Sequence, residues 1–240
     1  VAEPLKGSWR SFLNRRASFG SLSPKEPVPT NPTVRVIWKY DAGATIGTGA
    51  ATDGEIVVLT DALGRLTCLS LSTGNVLWQV KAGSTSIYST PAISGGTVVF
   101  GASHGSIQAR RKKDGALSWI QTVRGSVLSS PAVDSGTVFI GAGDGKFRAL
   151  DLESGTVKWE YGTVPENVET RPLVYGSRII FGAWDGFLYA LEKSTGQPLW
   201  RWSAEKPNFY YSPAACWPVA GEGKVFVVAP DKYATAVDPV

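Results

Sequence analysis

The stretch GKFRALDLESGTVKW, residues 145–159, decides the fold, because its parts recur at a fixed spacing along the chain. It contains a glycine turn, a short apolar strand, a Ser-Gly turn and a strand that ends on a tryptophan. Tryptophans recur in step with it at intervals of 40, 41, 40 and 41 residues: Trp38, Trp78, Trp119, Trp159 and Trp200. Such a register predicts an internal repeat of about forty residues.

Two further markers keep the same period. A proline opens a segment of small and apolar residues at Pro91, Pro131, Pro172 and Pro213. Apolar runs such as Val138-Phe139-Ile140 follow it, and they do not alternate with polar residues, which is typical of strands covered on both faces. Each repeat therefore predicts four antiparallel strands, a to d, with the tryptophan on strand d.

Four short strands every forty residues predict an all-β fold, a β-propeller of four-stranded antiparallel blades. We expect the five repeat tryptophans to fill the gaps between blades. Residues 34–39 would supply one strand d, and residues 212–216, 224–229 and 233–238 would supply strands a, b and c of a last blade. The predicted organisation is a lead-in segment over residues 1–33 and a propeller over 34–240, with five blades if the chain is complete.

Bulk composition excludes several classes of function. The formal charge is +4, and the dense basic run Arg110 to Lys113 lacks the interleaved aromatic residues of a nucleic-acid surface, so we expect no nucleic-acid partner. No apolar stretch has the roughly 18 residues of a membrane helix. The two cysteines, Cys68 and Cys216, provide neither a disulfide framework nor a CxxC metal site. Neither a bound metal nor an oligomeric state is indicated.

The repeated phrase resembles the pyrroloquinoline-quinone-like (PQQ-like) propeller repeat. Residues 145–159 and the equivalent stretch GFLYALEKSTGQPLW, residues 186–200, carry the resemblance, which extends over residues 34–240. Family propellers usually have seven or eight blades. The resemblance therefore leaves two alternatives, a small closed ring of five blades or a fragment of a larger ring.

The resemblance also implies two kinds of function. Some members are quinone- and Ca²⁺-dependent dehydrogenases, whose sites commonly include adjacent cysteines that this chain lacks. Noncatalytic members act as binding platforms outside the cytoplasm. We therefore expect a noncatalytic scaffold, periplasmic or secreted, that binds a protein partner or a small ligand without a cofactor. A PQQ- and calcium-dependent oxidoreductase with an incomplete site is the alternative.

No catalytic constellation stands out in the sequence. The single histidine, His104, occupies the same turn position as Asp144 and Asp185 in the next two repeats, which favours a turn role for all three. A nucleophile-and-base site would have to use this histidine. We therefore predict no catalytic residues.

A ligand site is best placed where the loops from d to a and from b to c meet, at one end of the channel. This face is expected to gather aromatic and charged residues typical of interfaces. Its predicted binding residues are Tyr88, His104, Glu169, Arg171, Trp184, Tyr210 and Tyr211. A second expected feature is an insertion between strands a and b of the last repeat, residues 216–220, on the opposite face.

Overall fold

The computed structural model describes residues 35–162, 164–203, 216–229 and 233–239. The chain divides into two units, Val1–Ile37 and Trp38–Val240. Of the first unit, the structure describes Arg35–Ile37, which are exposed and have no regular secondary structure. The second unit holds every described strand.

The described residues of the second unit form five antiparallel sheets, in which each strand pairs with the next one along the chain. The first sheet contains β1 (Ala51–Thr52), β2 (Ile56–Thr60), β3 (Arg65–Ser70) and β4 (Val76–Lys81). The second contains β5 (Ala92–Ser94), β6 (Thr97–Ala102), β7 (Ser106–Arg111) and β8 (Leu117–Thr122). The third contains β9 (Ala132–Asp134), β10 (Thr137–Gly141), β11 (Phe147–Asp151) and β12 (Val157–Tyr161). The fourth contains β13 (Leu173–Tyr175), β14 (Arg178–Gly182), β15 (Phe187–Glu192) and β16 (Pro198–Ser203). The fifth contains β17 (Val219–Gly221), β18 (Lys224–Ala229) and β19 (Tyr233–Val237).

This architecture confirms the predicted all-β propeller fold. The first strand of each sheet lies beside the first strand of the next, so that β1, β5, β9, β13 and β17 are consecutive neighbours. We call these five the inner strands. Each of them has one hydrogen-bonded strand partner among the described residues, and its other edge stays unpaired there.

The apolar core lies between consecutive sheets. One cluster joins the first sheet to the second, with Val58 and Leu66 against Phe100. Equivalent clusters lie between the second and third, the third and fourth, and the fourth and fifth sheets. The middle strands are buried on both faces, as their non-alternating sequences predict.

Four of the repeat tryptophans, Trp78, Trp119, Trp159 and Trp200, lie at the boundaries between consecutive sheets, and Trp38 packs against the first sheet. Trp119 contacts Gly155 of the next sheet, and its indole Nε1 donates a hydrogen bond to the Leu152 carbonyl at 2.9 Å. The same contact recurs at the glycines of the other c–d turns, which share a φ of +72°. In chain order, the other indole donors and their acceptors are Trp38 with Leu71, Trp78 with Lys112, Trp159 with Lys193, and Trp200 with Pro239.

Two strand predictions were wrong. Arg35–Tyr40 form no strand, because no strand partner for them exists among the described residues. In the last repeat, the strand that pairs with strand b in the place of strand a is Val219–Gly221, and residues 212–215 of the predicted strand lie outside the described residues. The proline that opens this strand is therefore Pro218, which precedes strand b by six residues, as Pro172 precedes Arg178. The predicted insertion 216–220 therefore does not lie between strands a and b, since Val219 and Ala220 belong to strand a and residues 216–218 directly precede it.

Candidate functional site

The loops from d to a and the turns from b to c meet at one end of the sheets. In the loop that joins the third and fourth sheets, the Val168 amide donates to the Ala142 carbonyl of the third sheet at 3.3 Å. The Trp184 amide of the fourth sheet donates to the Asn167 carbonyl of the same loop at 3.1 Å. This loop thus ties together the turns of the two sheets that it connects. The loop between the second and third sheets does the same through Val127 with Ala102 and Gly143 with Ser126.

The three aligned turn residues are engaged locally. Asp144 accepts a hydrogen bond from the Lys146 amide and pairs with the buried guanidinium of Arg148. Asp185 accepts one from the Phe187 amide and another from the Tyr189 hydroxyl. Exposed His104 lies with Nε2 2.9 Å from the Ser106 hydroxyl. These contacts orient the turns, and both carboxylates already have hydrogen-bond partners within their own sheets.

The other predicted site residues do not form one cluster. Tyr88 is 53% exposed and lies against the backbone of Gly47. Glu169 accepts a hydrogen bond from the Asn167 side chain at 3.4 Å, and partly buried Trp184 meets the same Asn167 through its backbone amide. Tyr210 and Tyr211 lie outside the described residues.

Arg171 lies beside Trp217, an aromatic residue of the predicted insertion 216–220. Its guanidinium carbon is 5.8 Å from the centroid of the Trp217 ring, within the range of a cation–π contact. Both residues directly precede the proline that opens an inner strand, Pro172 and Pro218. The repeat itself therefore places them at equivalent positions, two residues before the neighbouring inner strands β13 and β17.

A groove runs along the inner strands of the third, fourth and fifth sheets next to this pair. Its cavity volume is about 440 Å³. We call it the inner groove and define it by its lining residues: Ala132, Val133, Arg171, Pro172, Leu173, Val174, Trp217, Pro218, Val219 and Ala220. The aliphatic walls of the groove can pack against an apolar group of a ligand. The guanidinium of Arg171 can bind an anionic group of the same ligand.

The sequence predicts Trp217 in an insertion on the opposite face, because Pro213 also fits the local pattern of the proline that opens a repeat. The signal that locates it was present in the sequence. Counting back six residues from the first residue of strand b leads to Pro91, Pro131 and Pro172 in three repeats, and to Pro218 in the last. The residue before Pro218 is then the equivalent of Arg171.

The buried thiol of Cys68 and the charged groups of the basic run have structural roles. Burial raises the pKa of the Cys68 thiol to about 11, so it stays protonated at neutral pH and is a poor nucleophile. In the basic run, Arg111 pairs with Asp114, and Lys112 pairs with Asp53 and Glu55. These acidic partners offset much of the positive charge that a nucleic acid would require.

The carboxylates of the described residues bear on the alternative of a calcium–quinone site. No group of three or more His, Cys, Asp or Glu side chains within them could hold a metal ion. Asp144 forms an ion pair with Arg148, and Asp185 accepts a hydrogen bond from the Tyr189 hydroxyl. The absence of a cofactor nevertheless remains a prediction. Of the described residues, none lies in a helix long and apolar enough to span a membrane.

Comparison with known families now decides the relationship. The sequence model of the family described as outer membrane protein assembly factor BamB matches residues 30–173. The chain belongs to this PQQ-like repeat family. The predicted resemblance is thereby confirmed. No curated protein sequence matches the chain significantly.

Solved structures with this fold include members of both functional kinds. BamB from Moraxella catarrhalis is 21% identical with a TM-score of 0.68, over 80% of this chain and 57% of that one. The quinohemoprotein alcohol dehydrogenase ADHIIG from Pseudomonas putida HK5 is 14% identical with a TM-score of 0.72, over 84% of this chain and 41% of that one. The computationally designed Ika8 protein is 19% identical with a TM-score of 0.69, over 79% and 57%. The chain thus spans less than two thirds of each of these proteins, and the likeness establishes the fold alone.

Proposed function

We propose that this chain is a noncatalytic binding scaffold whose partner binds in the inner groove. The observation that carries the proposal is the groove itself, an apolar cavity of about 440 Å³ with the Arg171–Trp217 pair at its end. Its volume lies within the roughly 300–1,000 Å³ of typical ligand sites. Trp217 is 50% exposed, and tryptophan and arginine are the residues that most often dominate binding energy at interfaces.

The character of the lining argues against catalysis in the groove. Except for Arg171 and the indole N–H of Trp217, its side chains are aliphatic or proline and supply no acid, base or nucleophile. Such a surface can bind a partner, whereas acid–base or nucleophilic catalysis needs titratable side chains near the reacting atoms. The alternative, a quinone-dependent oxidoreductase, receives no support from the described carboxylates, which are engaged in the turns.

The partner that we propose is a protein. Membership of a family described as an outer membrane protein assembly factor supports this choice and an extracytoplasmic location. The unpaired edges of the inner strands support it further, because a partner strand can hydrogen-bond to them. A rigid set of packed sheets is a suitable frame for such a surface.

Site-specific photo-crosslinking tests the proposal. Benzoylphenylalanine replaces Trp217 in the groove and, as a matched control, Leu77, which is 55% exposed on the outer strand β4. We expect a discrete protein adduct from position 217 in cells of the source organism and none from position 77. Equal adducts from both positions, or none from position 217, would contradict a groove-based scaffold. Alcohol-dependent dye reduction after addition of PQQ and Ca²⁺ would instead favour the oxidoreductase.

A further inference from the structure

Among the described residues, the guanidinium of Arg171 has no carboxylate partner. Three of the eight other described arginines form ion pairs: Arg65 with Asp61, Arg111 with Asp114, and Arg148 with Asp144 and Glu160. Arg171 is exposed and forms no ion pair with any described residue. The nearest acidic residue along the chain, Glu169, is engaged by Asn167. The positive charge at the end of the groove is therefore available to a ligand.

The guanidinium of Arg171 has a cation–π contact and no described hydrogen bond. Its Cζ lies 5.8 Å from the centroid of the Trp217 ring, and no described residue accepts a hydrogen bond from its N–H groups. A planar guanidinium binds a carboxylate best through two parallel hydrogen bonds. The contact with Trp217 also restrains a long side chain that is otherwise costly to order. Arg171 is thus prepared to receive a carboxylate.

The walls of the groove specify what lies next to that carboxylate. Val133, Leu173, Val174 and Val219 line it with branched aliphatic surface. Burying apolar groups here is favourable by about 25 cal/mol per Å², whereas a buried polar group would need a hydrogen-bonding partner. A fitting ligand therefore combines an acidic group with aliphatic or aromatic groups.

The strands of the groove favour an extended polypeptide over a compact ligand. β9, β13 and β17 each pair with one strand only among the described residues. Their free backbone groups can bind an added strand, whose alternate side chains face opposite sides.

We propose that the inner groove binds an extended segment of a partner protein in which acidic and apolar side chains alternate, with Arg171 holding a carboxylate of that segment. This inference rests on the proposed function and adds the chemistry of the partner. It makes Arg171 the residue that determines specificity, and Trp217 the residue that positions it.

Fluorescence anisotropy with labelled ten-residue peptides tests the inference. The probes alternate Asp with Leu, Asn with Leu, or Lys with Leu. We expect the wild-type chain to bind the Asp peptide about tenfold or more tightly than the Asn peptide, as a charge-assisted hydrogen bond predicts. R171E should abolish this preference and favour the Lys peptide. R124E, which changes an exposed arginine outside the groove and alters the net charge equally, should keep the wild-type order.

Three other outcomes would each contradict a different part of the proposal. Equal binding of the Asp and Asn peptides, both weakened by W217A, would refute the acidic preference and leave the groove as a binding site. An equal effect of R124E and R171E would assign the preference to overall charge. If the wild-type chain binds none of the peptides while position 217 still crosslinks to a partner, the proposed chemistry is wrong and the scaffold function stands. Circular dichroism of each variant checks that the fold is intact.

Discussion

At the scale of single residues, two equivalent ion pairs join neighbouring sheets. Lys112 of the second sheet lies 2.5 Å from Asp53 of the first, and Lys193 of the fourth lies 2.7 Å from Asp134 of the third. The hydrogen bond from Lys112 lowers the pKa of Asp53 to about 2, and that from Lys193 lowers the pKa of Asp134. The same lysines accept the indole hydrogen bonds of Trp78 and Trp159 through their carbonyls. Charge and aromatic contacts therefore stabilise the same two boundaries.

The depressed pKa of Asp53 predicts a pH-dependent stability. In the unfolded chain an aspartate has a pKa of about 3.9, so its stabilising effect is complete above about pH 4 and is lost as the pH falls towards 2. D53N should lower the free energy of unfolding by on the order of 1 kcal/mol at pH 7 and by almost nothing near pH 2. Urea unfolding over this range measures the difference. E166Q, at an exposed carboxylate in no described ion pair, is the control, and a pH-independent effect of D53N would contradict the account.

At the scale of elements, the glycines of the c–d turns serve two purposes. Gly155 has a φ of +72°, and a Cβ there would lie 2.5 Å from the ring of Trp119. Gly136, in an a–b turn, has a φ of +70° but no atom within 4 Å of the same position. The two glycines have nearly the same φ, but only Gly155 has a neighbouring ring where a Cβ atom would lie. They therefore separate the cost of the turn from the cost of crowding the tryptophan.

Alanine at each of these glycines is a matched pair of substitutions. G136A should lower the free energy of unfolding by about 1–2 kcal/mol, which is the strain of a left-handed conformation. G155A should lower it by about 1–3 kcal/mol more, since the added methyl group also displaces the Trp119 ring from the next sheet. Thermal or urea unfolding of both variants gives the comparison. Equal losses of stability would mean that the tryptophan contact contributes nothing to holding the sheets together.

The elements also show what a sequence can predict. The spacing of the tryptophans and the Gly turns located the strands of four sheets, because local turn chemistry and buried runs determine them. The last repeat was misplaced, since Pro213 and Pro218 both fit a local pattern and only the distance to strand b separates them. The contact between Arg171 and Trp217 joins different repeats, 46 positions apart in the numbering, so no local pattern reveals it. The cavity beside it likewise arises only when three inner strands pack together.

At the scale of the molecule, the repeat places three short inner strands side by side, and the outward edge of each is unpaired among the described residues. The groove is lined by these inner strands, which are less buried than the middle strands, whereas the core lies in the layers between sheets. Substitutions in the groove should therefore change binding with little effect on stability. This separation of the binding surface from the core is what a scaffold requires.

Hydrogen–deuterium exchange of the chain with and without the Asp–Leu peptide tests the central claim most directly, because it locates the binding surface without any substitution. We predict that bound peptide slows amide exchange in Leu173–Tyr175 and Val219–Gly221, the inner strands β13 and β17. The b–c turns and the outer strands β4 and β8 should be unchanged. Protection confined to those turns or outer strands, with β13 and β17 unaffected, would contradict the inner groove as the binding site.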